Sequence, residues 1–242
     1  MRRIAWALVP TLLVACPVAL ASTGGILFEQ SPAPANLFLT AASQEFPATP
    51  EFTIFAADDF DVPGGPGWSV TGLTSFFTTG TGSGLPPQGI RWIIFGDNKG
   101  EPGPELLNVV GGTLDLDTGL AQVDLQASAS DIDLASGTYW LTSQLIGDLD
   151  FFGQEFHLGS LDGAGTSNFM WNNPGDGLGL PTGWFDANGT INPDTSQPYS
   201  DVQNLAFRLN GTIIPEPATL ILLVLSGLQA MRRRPRGPFQ SR

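Results

Sequence analysis

Pairs of aspartates separated by one residue have a spacing that could bind a metal ion. Asp115 and Asp117 form one pair, and similar pairs stand at 131/133 and 148/150. On a β-strand, residues i and i+2 project from the same face, so each pair would offer two carboxylates to one Ca²⁺ ion. Asp97, in the turn sequence Asp-Asn-Lys-Gly-Glu, offers further oxygen ligands. The alternative is a solvated acidic face with the intervening residue packed inward.

Three aromatic residues form a second candidate site. Trp171, Trp184 and Tyr199 lie in a segment rich in Gly, Pro and Asn, with several Asn and Asp residues nearby. Aromatic faces stack on the C–H surfaces of sugars, while amide and carboxylate oxygens accept hydroxyl protons. The three residues are therefore the candidate glycan-binding surface. The alternative is that these tryptophans anchor long loops on a folded body.

Residues for nucleophilic or acid–base catalysis are scarce. His157 is the only histidine, Cys16 is the only cysteine, and no Gly-x-Ser-x-Gly sequence occurs. We interpret His157 as a structural residue. Two carboxylates would suffice for glycoside hydrolysis, but none of the 23 acidic residues stands in a motif that selects two of them. The sequence thus predicts no catalytic residues and, calcium apart, no cofactor.

The distribution of charge excludes nucleic acid as a partner. Between residues 22 and 213 only Arg91, Lys99 and Arg208 are basic, whereas 22 residues are acidic. A surface this acidic repels polyphosphate. A single cysteine also excludes a disulfide framework and a Cys-based zinc site.

Short β-rich runs separated by Gly, Pro, Asn and Asp are the elements that must position these groups. No segment between the two ends carries a sustained helical period. The predicted strands are residues 51–56, 68–77, 89–95, 113–117, 121–127, 137–142 and 205–209. Their number and spacing predict an all-β fold, an antiparallel β-sandwich or jelly roll.

The alternation of residues within these runs predicts what faces the core. The run at 89–95 is nearly all apolar, as in a central strand covered on both faces. The runs at 113–117 and 121–127 alternate strictly, which places four apolar residues inward and acidic residues outward. Three tryptophans that lie in predicted strands should also be core residues. The inward set is Leu114, Leu116, Val123 and Leu125, and the core tryptophans are Trp68, Trp92 and Trp140.

The N-terminal segment has the layout of a secretory signal peptide. A pair of arginines precedes an apolar core, and Ala19 and Ala21 give the small-x-small pattern before Ser22. Cleavage after Ala21 would remove Cys16 and leave a mature chain without cysteine. The alternative is a lipobox at residues 13–16, with a lipid attached to Cys16.

The C-terminal segment has three parts in order. A Pro-Glu-Pro motif precedes a run of apolar residues at 218–231, which an arginine cluster follows. As a helix the apolar run would reach about 21 Å at about 1.5 Å per residue, short of a hydrocarbon core of about 30 Å. The cluster follows the positive-inside preference and can stop transfer with the body outside. The motif is Pro215, Glu216 and Pro217, and the cluster is Arg232, Arg233 and Arg234.

This segment, IPEPATLILLVLSGLQAMRRR, resembles the PEP-CTERM sorting signal of certain Gram-negative bacteria. The resemblance implies that exosortase, an integral membrane enzyme of the transpeptidase type, recognises the segment and processes the chain at or near the Pro-Glu-Pro motif. It also implies transient anchoring in the inner membrane, followed by delivery to the cell surface or the extracellular matrix. The chain continues past the arginines further than many such signals do.

The body carries a second resemblance. The sequence Ala-Asp-Asp-Phe-Asp-Val-Pro at 57–63 is followed by Gly-Trp at 67–68, Trp-Ile-Ile-Phe at 92–95 and Gly-Thr-Tyr-Trp at 137–140. This order is similar to β-sandwich domains of anchored bacterial surface proteins, in which an A-D-D-F-x-V-P strand opens the sheet. The resemblance implies a fold and a location and lends no catalytic residue.

The sequence therefore divides into a signal peptide at 1–21, a β-sandwich domain at 22–213, a sorting and transient membrane segment at 214–236, and a tail at 237–242. We expect an exported, non-catalytic protein with a structural or adhesive role in exopolysaccharide or biofilm. Its expected partners are the secretion channel, an exosortase-type enzyme and exopolysaccharide. A carbohydrate-binding module is the alternative, and a surface glycosidase is the third hypothesis.

Overall fold

The computed structural model describes residues 24–34, 37, 39–79, 87–148, 153–163, 165 and 167–216. The predicted signal peptide and the predicted C-terminal apolar helix lie outside these residues. Within the described ranges, no helix has the length and apolar character that crossing a membrane requires.

Sixteen β-strands make up the described body. They are β1 (Gly25–Gln30), β2 (Thr40–Ala42), β3 (Gln44–Glu45), β4 (Phe55–Val62), β5 (Trp68–Thr79), β6 (Gly89–Asp97), β7 (Pro102–Val110), β8 (Thr113–Asp115), β9 (Leu120–Asp124), β10 (Ile132–Leu134), β11 (Gly137–Ile146), β12 (Glu155–Ser160), β13 (Met170–Asn172), β14 (Phe185–Asp186), β15 (Asn204–Leu205) and β16 (Phe207–Ile213).

The strands form two sheets that pack together as a β-sandwich, which confirms the predicted fold class. The first sheet runs β1-β16-β5-β12-β15, with β2 beside β12, β9 and β10 beside β5, and β8 beside β9. The second sheet runs β14-β13-β4-β11-β6-β7, with β3 beside β11. Pairing is antiparallel except between β3 and β11, whose short contact is parallel.

The main core lies between the two sheets, where side chains of alternate residues interdigitate. Phe60 on β4 and Trp92 on β6 come from the second sheet, and Leu73 on β5 and Phe207 on β16 come from the first. All four are buried. Trp68, Trp92 and Trp140 are buried too, which confirms their prediction as core residues.

A second apolar cluster covers the opposite, outer face of the second sheet. It consists of Ala57, Ile93, Phe95 and Trp140, all buried, with partly buried residues packed over them. Trp184, from the long segment between β13 and β14, makes edge contacts with Phe95 at 5.5 Å between ring centroids. Strand β6 is thus covered on both faces, as its nearly all-apolar sequence predicts.

One strand prediction begins too early in the chain. Residues 68–77, 89–95 and 137–142 form strands as predicted, but at 51–56 the strand begins only at Phe55. A 3₁₀ turn at Pro50–Phe52 precedes it, closed by a hydrogen bond from Thr53 N–H to Pro50 O. Because proline fixes φ near the helical value, Pro50 favours this turn over an extended start.

The predicted strand at 113–117 ends early, and this makes the prediction of an inward Leu116 wrong. Strand β8 stops at Asp115 and residues 116–119 form a turn, which leaves 42% of Leu116 exposed. The turn ends at Gly119, whose φ is +69° and whose Cβ, if it had one, would collide with Phe77 O. The inward predictions for Leu114, Val123 and Leu125 are confirmed, since all three pack in the main core.

Candidate functional site

The described body ends at the predicted sorting motif. Strand β16 stops at Ile213, and the next N–H, of Ile214, donates a 3.0 Å hydrogen bond to Gly67 O. Pro215 and Glu216 come next, outside any strand and exposed. The remaining residues of the motif and of the signal cleavage site lie outside the described residues, namely Pro217, Arg232, Arg233, Arg234, Ala19, Ala21 and Ser22.

The three aromatic residues predicted as a glycan surface pack against apolar clusters. Trp171, on β13, donates a 3.0 Å hydrogen bond from Nε1 to Ala42 O and packs edge-on against neighbouring rings. Tyr199 packs edge-on against Phe185 with ring centroids 5.4 Å apart. Trp184 belongs to the outer cluster instead. These contacts match the alternative of loop anchors, and the glycan role of the three stays a prediction.

The aspartates predicted to hold calcium occupy different sheets. Asp97 ends β6, and its carboxylate accepts hydrogen bonds from Trp140 Nε1–H and Gly100 N–H, both at 3.1 Å. Asp115 ends β8 in the other sheet, and Asp117 lies in the turn after that strand. The expectation that Asp115 and Asp117 share one strand face is therefore wrong.

The carboxylate of Asp115 instead stabilises its own turn. Its Oδ1 accepts the backbone N–H of Asp117 at 2.9 Å and of Thr118 at 3.4 Å. Hydrogen bonds from the Thr118 side chain and the Asp117 N–H lower the pKa of Asp115. In the part of the chain that the structure describes, no three His, Cys, Asp or Glu side chains group as a metal site would require.

Strand β12 carries two buried titratable groups, His157 and Glu155. The ring of His157 packs edge-on against Phe77, and burial lowers the pKa of His157 to about 4. The histidine is thus a core residue, as interpreted from its sequence. Burial raises the pKa of Glu155, two residues away, to about 7.

A third buried acid lies between the sheets. Asp58, on β4, accepts a 2.7 Å hydrogen bond from Leu205 N–H on β15 and a 3.1 Å bond from Asp59 N–H. Burial raises the pKa of Asp58 well above its ordinary value, although these two bonds oppose the shift. The Leu205 bond links the two sheets, so we assign Asp58 a structural role.

A cleft that contains an arginine–glutamate pair lies on the outer face of the second sheet, and we call it the Arg91 cleft. Its volume is about 550 Å³. Arg91 on β6 forms part of the floor, and the walls come from β3, from β7 and from the 3₁₀ turn. The residues that give it its chemistry are Glu45, Phe55, Arg91, Glu105, Asn108 and three prolines, Pro47, Pro50 and Pro174.

A chain of hydrogen bonds organises the polar side of the Arg91 cleft. Arg91 binds Glu45 through two contacts, Nε to Oε2 at 2.7 Å and Nη2 to Oε1 at 3.2 Å. Its Nη1 donates to Asn108 Oδ1 at 3.0 Å, and Asn108 Nδ2 donates to Glu105 Oε2 at 2.9 Å. The Glu45 bonds raise the pKa of the guanidinium. Side-chain exposures of 27% for Arg91 and 25% for Glu45 keep the pair within reach of a ligand.

The arrangement of donors and acceptors in the Arg91 cleft is suited to binding a polar ligand. A glycosidase needs one carboxylic acid to protonate the leaving oxygen and a second carboxylate as nucleophile or base. Both carboxylate oxygens of Glu45 accept N–H groups of Arg91, so this carboxylate is held in a fixed ion pair. The cleft instead presents fixed donors and acceptors next to apolar rings, which is the composition of a small-molecule site.

Sequence reasoning missed the Arg91 cleft because its residues come together only through tertiary pairing. Glu45 lies next to Arg91 because β3 and β6 both pair with β11. Asn108 is placed by the register of β7 on β6, opposite Ile93. The sequence did carry one signal: Arg91 is a charged residue inside the apolar run 89–95, in a body with only three basic residues.

Comparisons with known proteins give no family for this chain. No protein-family model, no characterised protein and no solved structure matches it.

Proposed function

We propose that this chain is an exported, non-catalytic surface protein whose β-sandwich is delivered to the extracellular matrix by an exosortase-type system. The leader engages the secretion channel, and the apolar tail with its arginines holds the chain in the inner membrane. Processing at or near the Pro-Glu-Pro motif then releases or transfers the body to the cell surface. There the body serves a structural or adhesive role in exopolysaccharide.

The observation that carries the proposal is the position of the motif relative to the fold. The last strand ends at Ile213, and Pro215 and Glu216 close behind it are exposed. A processing enzyme could therefore reach this peptide without unfolding the sandwich. Because a proline ring blocks both strand pairing and helix continuation, Pro215 and Pro217 also separate the sandwich from the apolar run.

The acidic net charge of the body and the burial of its only histidine support a structural role. The body is strongly acidic, which favours solubility and allows divalent cations to bridge it to acidic polymers. The only histidine is buried in the core beside Phe77.

The test is fractionation of the native host expressing Glu216→Ala, with Glu101→Ala as a matched control. Glu101 also precedes a proline and is exposed, but it lies in the turn before β7. We expect the Glu216 variant to stay unprocessed in the membrane fraction, and the Glu101 variant to reach the surface like the wild type. Surface delivery and processing of the Glu216 variant at the wild-type level would contradict the proposal.

A further inference from the structure

The Arg91 cleft has hydrogen-bonding groups left over on both the donor and the acceptor side. A guanidinium has five N–H donors, and Arg91 directs three of them at Glu45 and Asn108. One N–H on each terminal nitrogen remains for a ligand. Each carboxylate oxygen also has more than one lone pair, so Glu45 and Glu105 can accept additional hydrogen bonds. A hydroxyl group, which donates and accepts at once, complements such a surface.

The charge of the cleft selects against acidic ligands. The positive charge of Arg91 is matched by Glu45, and Glu105 adds a further negative charge within range of the guanidinium. The local balance is one excess negative charge, inside a body that is already strongly acidic. A uronate, sulfate or phosphate group would be repelled there. Anionic sugars are therefore disfavoured in the cleft, whereas a neutral sugar meets no such repulsion.

The apolar side of the cleft supplies the remaining contact. Pro47, Pro50 and Pro174 are exposed, and Phe55 is half-buried at the floor. Flat apolar rings beside planar polar groups complement a sugar ring, which has C–H faces and a rim of hydroxyls. The volume of about 550 Å³ lies within the range of small-molecule sites.

The cleft is also rigid before any ligand arrives. Arg91 stands on a central strand between β11 and β7 and is held by two bonds to Glu45 and one to Asn108. Groups that are already fixed in place lose little conformational entropy on binding. This preorganisation distinguishes the cleft from an ordinary surface ion pair.

We propose that the Arg91 cleft binds neutral hexose units of an extracellular polysaccharide. Arg91, Glu45, Asn108 and Glu105 hydrogen-bond the hydroxyls, while Phe55 and the prolines pack against the C–H face of the ring. This inference rests on the proposed matrix role, for which it names a binding site and a ligand class.

The experiment uses the full-length chain in a sugar-free detergent, titrated with dextran, galactomannan, laminarin and, as the acidic polymer, alginate. Isothermal titration calorimetry gives the dissociation constant for each. We expect binding to at least one of the three neutral polymers and none to alginate. Absence of binding to all three, or equal binding to alginate, would overturn the inference.

Matched variants locate the site. Arg91→Lys keeps the charge but removes the two-pronged contact, so the dissociation constant for the bound polymer should rise about tenfold. Arg208→Lys makes the same change on the opposite sheet and should stay within about twofold of the wild type. Binding that Arg91→Lys and Arg208→Lys affect equally would place the sugar elsewhere and overturn the inference.

A second variant tests the site even if Arg91→Lys fails to fold. Asn108 is exposed on an edge strand, so Asn108→Ala should retain the wild-type near-UV circular dichroism while still weakening binding several-fold. Asn98→Ala, exposed in the turn after β6, is its control. If Asn108→Ala is folded and binds as tightly as Asn98→Ala, the cleft is not the site. Correct surface delivery of a chain that binds no sugar would refute this inference and leave the sorting proposal intact.

Discussion

The two sheets bury their inner faces in the same core but differ on their outer faces. The second sheet carries Ile93, Phe95 and Trp140 outward, and loops from the region after β13 bury them. The first sheet carries Arg208 and Asn210 outward on β16, neither of them covered as completely. Alternation along a strand therefore shows which residues share a face, but a distant loop decides whether that face is solvated.

Among the described residues, each outer face also carries an arginine–glutamate pair. The pair on the covered face makes more hydrogen bonds than the pair on the open face. Arg91 contacts Glu45 through two nitrogens and Asn108 through the third. Arg208 contacts Glu29 through Nη2 alone, and its Nε is buried without a partner among the described residues. The covered face thus holds an organised arginine, and the open face holds an incompletely bonded one.

The largest effect should come from removing the buried tryptophan of the covered face. Trp140→Ala should lower the free energy of unfolding by about 3–5 kcal/mol, because it empties the centre of the outer cluster and removes the bond to Asp97. Val110→Ala, at a residue 56% exposed, should change it by less than about 0.5 kcal/mol. Urea denaturation measures both, and equal effects would mean that the outer cluster is not a second core.

The next effect concerns the loop that covers this face. Trp184→Ala should cost about 2 kcal/mol, because it uncovers Phe55 and Phe95. Urea denaturation measures this loss of stability. A loss of sugar binding with unchanged stability would instead support the predicted glycan surface at Trp171, Trp184 and Tyr199.

The two ion pairs can be compared directly with one substitution each. Glu45→Gln should cost about 1.5 kcal/mol, because it removes the charge from a two-contact, hydrogen-bonded pair. Glu29→Gln should cost less than about 1 kcal/mol, since Arg208 makes a single contact on a more open face. Thermal melts of the two variants at low and high salt measure the difference. A larger loss for Glu29→Gln would reverse the comparison.

The smallest effect concerns the interior acids, one from each sheet. The carboxylate of Asp58 accepts two backbone N–H groups, which oppose the rise in its pKa on burial. For Glu155, burial is the one cause of the raised pKa. The pKa of Glu155 is about 7 in the fold, against an ordinary 4.5 in the unfolded chain. Between these two values the unfolded chain releases the proton that the folded chain keeps, so stability falls as pH rises through this window.

Glu155→Gln should remove the loss of folding stability between about pH 4.5 and pH 7. We expect that loss to be on the order of 1 kcal/mol in the wild type. Melting temperatures at pH 5 and pH 8 measure it, with Glu101→Gln as an exposed control. His157 acts in the opposite direction: its pKa of about 4 makes the fold lose stability as pH falls from about 6.5 to 4. An unchanged pH profile in Glu155→Gln would show that this carboxyl is solvated.

The sequence predicted the sandwich because each strand carries its own periodic pattern. It also predicted that β6 is covered on both faces, since a run such as Ile-Arg-Trp-Ile-Ile-Phe has no solvent side apart from Arg91. It placed Leu116 wrongly, because the Asp115 side chain closes a turn that apolar alternation does not reveal. The Arg91 cleft depends on pairing between strands far apart in sequence, and the one local signal, a charged Arg91 inside an apolar run, does not reveal its partners.

The measurement that tests the central proposal most directly is the intact mass of the mature protein isolated from the surface of its native host. We predict a chain that begins at Ser22 and ends at or near Pro215, Glu216 or Pro217, without the apolar run at 218–231. A surface-located, water-soluble chain that retains this run would contradict it.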